Sequence, residues 1–238
     1  MTGTLLNVAT VLLGGALGLA FGSRLPERVR QTVVAGLGLF VLAYGMSTFA
    51  ATQNPIIVLV SLLLGGVLGE WWQIEAGMAG LGERLQSRFA SAAEGGSARF
   101  VRGFLIASLV FCIGPMTILG SIQDGLAGDF RLLTIKSVLD GFAAMVFAST
   151  LGVGVLFSSL VILVFQGSLS LLAQQAQALF TDGMIAELSA TGGLLLAGIA
   201  VSSLLEIKSI RVGNFLPALL IAPLIVALLA AAGISLTF

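Results

Sequence analysis

The run Asn214–Ile234, NFLPALLIAPLIVALLAAAGI, contains no charged side chain. A stretch that long and that apolar suits a helix crossing the roughly 30 Å hydrocarbon core of a bilayer, where every backbone group must be satisfied within its own segment. Seven further stretches read the same way: Leu5–Phe21, Thr32–Ala51, Pro55–Trp72, Phe104–Ser121, Leu132–Thr150, Gly152–Leu172 and Leu188–Leu205. Together they predict an all-α, polytopic transmembrane bundle of about eight spans, forming a single integral membrane domain over residues 1–238. The fifth and sixth stretches are joined only around Thr150-Leu151-Gly152, so a re-entrant pair also fits there.

Composition agrees. The chain of 238 residues is 58% hydrophobic and only 9% charged, with a mean hydropathy of +1.10. A soluble domain carries roughly a quarter charged residues; this chain has too little polar surface to face water all round. The lipid bilayer is its expected surroundings, and a net charge of zero gives no reason to expect a nucleic-acid partner. Cys112 stands alone, excluding an intrachain disulfide and a cysteine metal cluster, and histidine is absent. That removes His-based metal sites and Ser-His or Cys-His catalysis. No H-E-x-x-H, G-x-S-x-G or P-loop motif occurs, so the chain reads as a non-enzyme with no catalytic residue, metal or cofactor assigned.

The basic residues give a topology. With both termini outside, nine of the 11 Lys and Arg fall in inner loops: Arg24, Arg28, Arg30, Arg84, Arg88, Arg99, Arg102, Lys208 and Arg211. Only Arg131 and Lys136 stay outside. This is a positive-inside bias, and it holds only if every loop alternates. The opening Met1-Thr2-Gly3-Thr4 has no basic n-region, so the first span reads as retained rather than cleaved. Met78–Ser91 is too polar to span, but places Leu81, Leu85 and Phe89 on one face, as in a helix lying on the inner surface. An uncharged counterpart, Ala173–Leu179, follows span six, and Ala93–Ser97 reads as a flexible break. These parallels suggest halves 1–92 and 100–187 related as an inverted three-span repeat, with a two-span hairpin at 188–238. Shared low complexity among Leu/Ala/Gly helices explains the likeness equally well.

Chemistry concentrates between Cys112 and Gly141. Gly114-Pro115 falls mid-span, where proline removes a donor and frees carbonyls, breaking or merely kinking the helix. Ser121, Gln123, Asp124 and Asp129 crowd the end of span four. Lys136 and Asp140 lie one turn apart on the same face of span five. A charge at mid-bilayer costs roughly 3 kcal/mol on insertion scales, so Asp140 should face a cavity or a partner; a structural ion pair with Lys136 is the competing account. Asn7, Gln166 and Asn214 are further intramembrane polar groups. Gly14, Gly18 and Gly22, like Gly65 and Gly69, are spaced by four, which favours close helix packing and would also allow a homodimer.

At these residues the chain resembles a bacterial family of uncharacterised membrane proteins, the YqgA/YdfK-like group (domain of unknown function 554). The likeness rests on Gly3-Thr4 with Asn7, Gly45-Met46-Ser47, Gly69-Glu70, Phe111–Met116 leading into Leu119–Ile122, Lys136-Ser137 with Asp140-Gly141, and Ile210–Asn214 with Pro217. The resemblance implies a bacterial cytoplasmic (inner) membrane location with several passes, and assigns no substrate and no residue role. The residues themselves point to a secondary transporter or permeation protein for an unidentified small solute or ion. Its candidate contacts are Asp140, Lys136, Asp124, Gln123, Ser121, Gly114, Pro115, Asn7 and Asn214, with proton or sodium coupling through Asp140 as an extension. The alternative is a non-transporting scaffold or regulatory subunit that docks partners on the Met78–Ser91 helix.

Overall fold

A computed structural model describes residues 1–22, 26–77, 80, 96–112 and 115–233. The described residues hold helices and no strands. In chain order the α-helices are α1 (Thr2–Gly22), α2 (Glu27–Phe49), α3 (Pro55–Trp71), α4 (Gly96–Cys112), α5 (Pro115–Ala127), α6 (Arg131–Leu151), α7 (Gly154–Leu171), α8 (Ala173–Leu179), α9 (Asp182–Ile199) and α10 (Ala218–Ala231). A π-turn, Ala200–Leu204, extends α9, and a 3₁₀ turn, Val212–Phe215, leads into α10.

Among the described residues, each apolar stretch identified in the sequence is mainly helical. Six of these helices are long and apolar enough to cross a membrane: α1, α2, α6, α7, α9 with its π-turn, and α10 with its 3₁₀ lead. A seventh crossing arises if α4 and α5, bent by 61° about residues 113–114, count as one broken span. Helix α3 is shorter, at 17 residues. The fifth and sixth stretches are separate full-length helices. The turn between them is made at Gly152, whose φ of +83° is a conformation most side chains avoid. The Met78–Ser91 surface helix lies, apart from Gly80, outside the described residues. Gly96 and Ser97, expected in a flexible break, instead begin α4, and Ala173–Leu179 is helical.

The chain divides into two compact units that interleave in sequence, Met1–Val34 with Ala79–Leu179, and Ala35–Met78 with Phe180–Phe238. In the first, α1 packs along α6 and against α7, while α4 and α5 pack on α7. Its backbones approach through glycine: a Cβ at Gly14 would meet the carbonyl of Gly141, one at Gly18 that of Met145, and one at Gly154 that of Phe100. In the second, α3 and α9 pack on α10, and Gly65 and Gly69 face Ala218 and Asn214. The glycine faces of α1 and α3 are thus occupied by helices of the same chain. Gly14→Ala should therefore lower the melting temperature of the purified protein markedly, since only a backbone shift makes room. Gly36→Ala, where nothing lies within 4 Å, should leave it unchanged or slightly raised; equal effects at the two positions would contradict the packing of α1 on α6.

Candidate functional site

In the first unit, three helices bring four polar side chains together. Asn7 on α1 is fully buried, and its Nδ2 donates to Asp140 Oδ2 on α6 and to Gln166 Oε1 on α7, each at 2.9 Å. Lys136, one turn before Asp140, donates its Nζ to the same Oδ2. Lys136 and Asp140 are 6% and 7% exposed. The lysine therefore does not reach out to water, and the aspartate is held within the unit. The pair is an intrahelical ion pair, and Asp140 also accepts from the Asn7 amide.

The polarity of this network is forced. A carboxylate flanked by an ammonium can only accept, so Asn7 must turn its NH₂ toward Asp140, and Gln166 must then turn its oxygen toward Asn7. The remaining atoms, Asn7 Oδ1 and Gln166 Nε2, are buried and have no hydrogen-bond partner. An unmade bond at such a group costs about 1–3 kcal/mol. One acceptor oxygen and one amide NH₂, the latter with two N–H donors, are therefore left unsatisfied. Nearby along the same helices, Thr4 Oγ1 and Ser170 Oγ lie 3.5 Å apart, both buried.

The other sequence candidates separate from this cluster. Asp124 is buried, and its Oδ2 accepts from Gly3 N at 3.1 Å and lies 2.9 Å from the amino group of Met1. Ser121 is buried but donates to Thr117 O of its own helix, and Gln123 is exposed. Gly114 lies outside the described residues. Pro115 is the first residue of α5, where a missing N–H costs nothing. Across that break Thr117 Oγ1 donates to Phe111 O at 3.2 Å, satisfying one carbonyl that the interrupted helix would leave bare. The helix before the break, α4, packs against α6, with the Phe111 ring 6.2 Å from that of Phe147.

Asn214 belongs to the second unit. There its Nδ2 donates to Glu70 Oε2 at 2.7 Å, its Oδ1 accepts from Glu75 N at 2.8 Å, and Arg211 Nη1 donates to Glu70 Oε1 at 2.6 Å. Glu75 Oε2 in turn accepts from Gly213 N at 2.7 Å. Glu70, its side chain 52% exposed, anchors the end of α3 to the 3₁₀ turn before α10.

One group escaped the sequence reading. Glu187, 0% exposed, accepts from Thr52 Oγ1 at 2.7 Å, Gln53 N at 2.7 Å and Asn54 N at 2.9 Å. Among the described residues no cationic side chain pairs with it in an ion pair. It sits at the start of α3, where unpaired backbone N–H groups favour an anion. Placing the seventh stretch from Leu188 put Glu187 outside it. The signal that would have included it is the cap: Thr181 Oγ1 accepts from Met184 N at 3.3 Å and Asp182 occupies the first turn, so the helix starts earlier. Among the described residues no group of three or more His, Cys, Asp or Glu could hold a metal.

Comparison with known proteins gives relatives over nearly the whole length. Residues 2–227 match the family described as "Protein of unknown function (DUF554)". The chain is 35% identical over 221 residues to "Uncharacterized protein YqgA" of Escherichia coli (strain K12), covering 92% of this chain and 94% of that one. It is 31% identical over 240 residues to "Uncharacterized membrane protein YdfK" of Bacillus subtilis (strain 168), covering 98% and 99%. No solved structure matches it. With its apolar helices and this agreement from end to end, the chain belongs to the DUF554 family of membrane proteins.

Proposed function

We propose that the protein is a permeation or secondary transport protein of the bacterial cytoplasmic membrane, moving a small solute or ion, and that Asn7, Lys136, Asp140 and Gln166 line its route. In this reading the chain crosses the membrane eight times with both termini outside. The broken pair α4–α5 counts as one span, and the 17 residues of α3 as another. The distribution of basic residues supports that topology.

The carrying observation is the pair of buried, unpartnered atoms, Asn7 Oδ1 and Gln166 Nε2, beside an enclosed ion pair. A purely structural network would gain by closing these valences. Polar and ionisable groups within membrane helices characteristically line substrate and ion paths. An interrupted helix, here α4 packed on α6 and α7, is a recurring way of exposing backbone groups to a passing solute.

The test is flux into proteoliposomes holding the purified chain, assayed with protons, sodium and a panel of small metabolites. Asp140→Asn should abolish whatever flux the native protein supports, while the variant elutes as a monodisperse, helical protein. Undiminished flux in a folded Asp140→Asn variant removes this aspartate from the route.

A further inference from the structure

The second unit carries a groove of about 760 Å³ between the C-terminal half of α3 and the segment leading into α10. One side is apolar. Leu63 and Val67, one turn apart on α3, are 61% and 70% exposed, and Ile210 and Phe215 stand opposite. Gly66 keeps the floor low, since a side chain there would run into the Phe215 ring. The mouth is charged and of both signs: the Glu70 carboxylate and the Arg211 guanidinium pair at 2.6 Å with side chains 52% and 69% exposed. Trp71, 77% exposed, flanks them, as interfacial tryptophans do at the headgroup level.

We propose that this groove binds one phospholipid whose headgroup is zwitterionic and carries a primary ammonium, as in phosphatidylethanolamine. One acyl chain lies along Leu63 and Val67 against Phe215. Arg211 spends only Nη1 on Glu70, and a guanidinium has five N–H donors, so the lipid phosphate takes the remaining ones. The lipid ammonium donates to the exposed face of the Glu70 carboxylate. The ion pair is thereby extended into a four-charge cluster with no net charge, and neither residue has to give up its partner. A choline headgroup has no N–H to donate, and a glycerol headgroup offers Glu70 only neutral hydroxyl donors, without the positive charge of an ammonium. The inference needs the protein to sit in a membrane and is independent of whether it transports.

Native mass spectrometry of the full chain in detergent, with phosphatidylethanolamine, phosphatidylcholine or phosphatidylglycerol added, tests it. The ethanolamine lipid should be retained about tenfold more than the choline lipid, the value of one charge-assisted hydrogen bond. Glu70→Gln should erase that preference. Because Glu70 also holds Asn214 and Arg211, Val67→Trp provides a second variant: it fills the apolar side, leaves every ion pair in place, and should lower retention of all three lipids. Equal retention of the three lipids by the native chain, a preference for phosphatidylglycerol, or an ethanolamine preference that survives Glu70→Gln would each overturn the proposal.

Discussion

Replacing Glu187→Ala is expected to lower the melting temperature of the purified protein by roughly 10 °C, one of the two largest effects the structure implies. The carboxylate accepts from one hydroxyl and two backbone N–H groups. Removing it strands the N–H of Gln53 and leaves that of Asn54 only its 3.2 Å bond to Thr52 Oγ1 at the entrance to α3. Hydrogen bonds to charged groups contribute about 1.5–3 kcal/mol each; allowing for partial relaxation and water entry, a total loss on the order of 3 kcal/mol is expected. Glu187→Gln should cost far less. Its amide oxygen can stay on the two N–H groups while its NH₂ turns to Thr52, whose hydroxyl can reverse and accept. Thermal unfolding followed by fluorescence-detected size exclusion separates the two variants. If Ala and Gln lower the transition alike, the charge itself matters and the hydrogen-bond account fails.

The second large effect concerns Lys136 and Asp140. Either Lys136→Met or Asp140→Asn leaves one buried charge without its partner, a loss of about 3–5 kcal/mol. The double variant removes both charges and keeps an oxygen at position 140 for Asn7 Nδ2. It should fall within about 1 kcal/mol of the native protein, so the cycle should give a coupling energy of about 5 kcal/mol or more in magnitude. Transport then divides two roles for the pair. If the charges only brace α6, the stable double variant carries solute at the native rate; if they line the route, it is stable and silent. Additive losses in the two single variants would show that the ion pair does not form.

The positions of the helices were legible because lipid imposes a single rule on length and polarity, and six of the apolar stretches obey it outright, while α3 falls short in length and α4–α5 is broken. Proline marked the interruption before α5, and a four-residue spacing marked the Lys136–Asp140 pair. Partnership was not legible. Hydropathy says that α1 must cross apolar surroundings, but not that it packs on α6, and the interleaving of the two units has no signature in composition. The crowding of polar residues after Leu119 misled for a geometric reason. At about 100° per residue, Ser121 and Asp124 share the buried face of α5 while Gln123 is turned well away from Ser121 and faces out. Adjacency in sequence is not adjacency in a helix. Gln166 was legible as a polar residue in an apolar run, but its meeting with Asn7 across 159 positions was not.

That interleaving has a consequence for biosynthesis. Asn7 reaches Asp140 over a separation of 133 residues, and a ribosome adding roughly 5–20 residues per second needs about 7–27 s to cover it. For that interval the first helix must wait in the insertion machinery or the lipid with its amide unanswered. The nascent chain therefore depends on being sheltered until its middle third emerges, and slowing translation between the two positions should expose it to quality-control proteolysis.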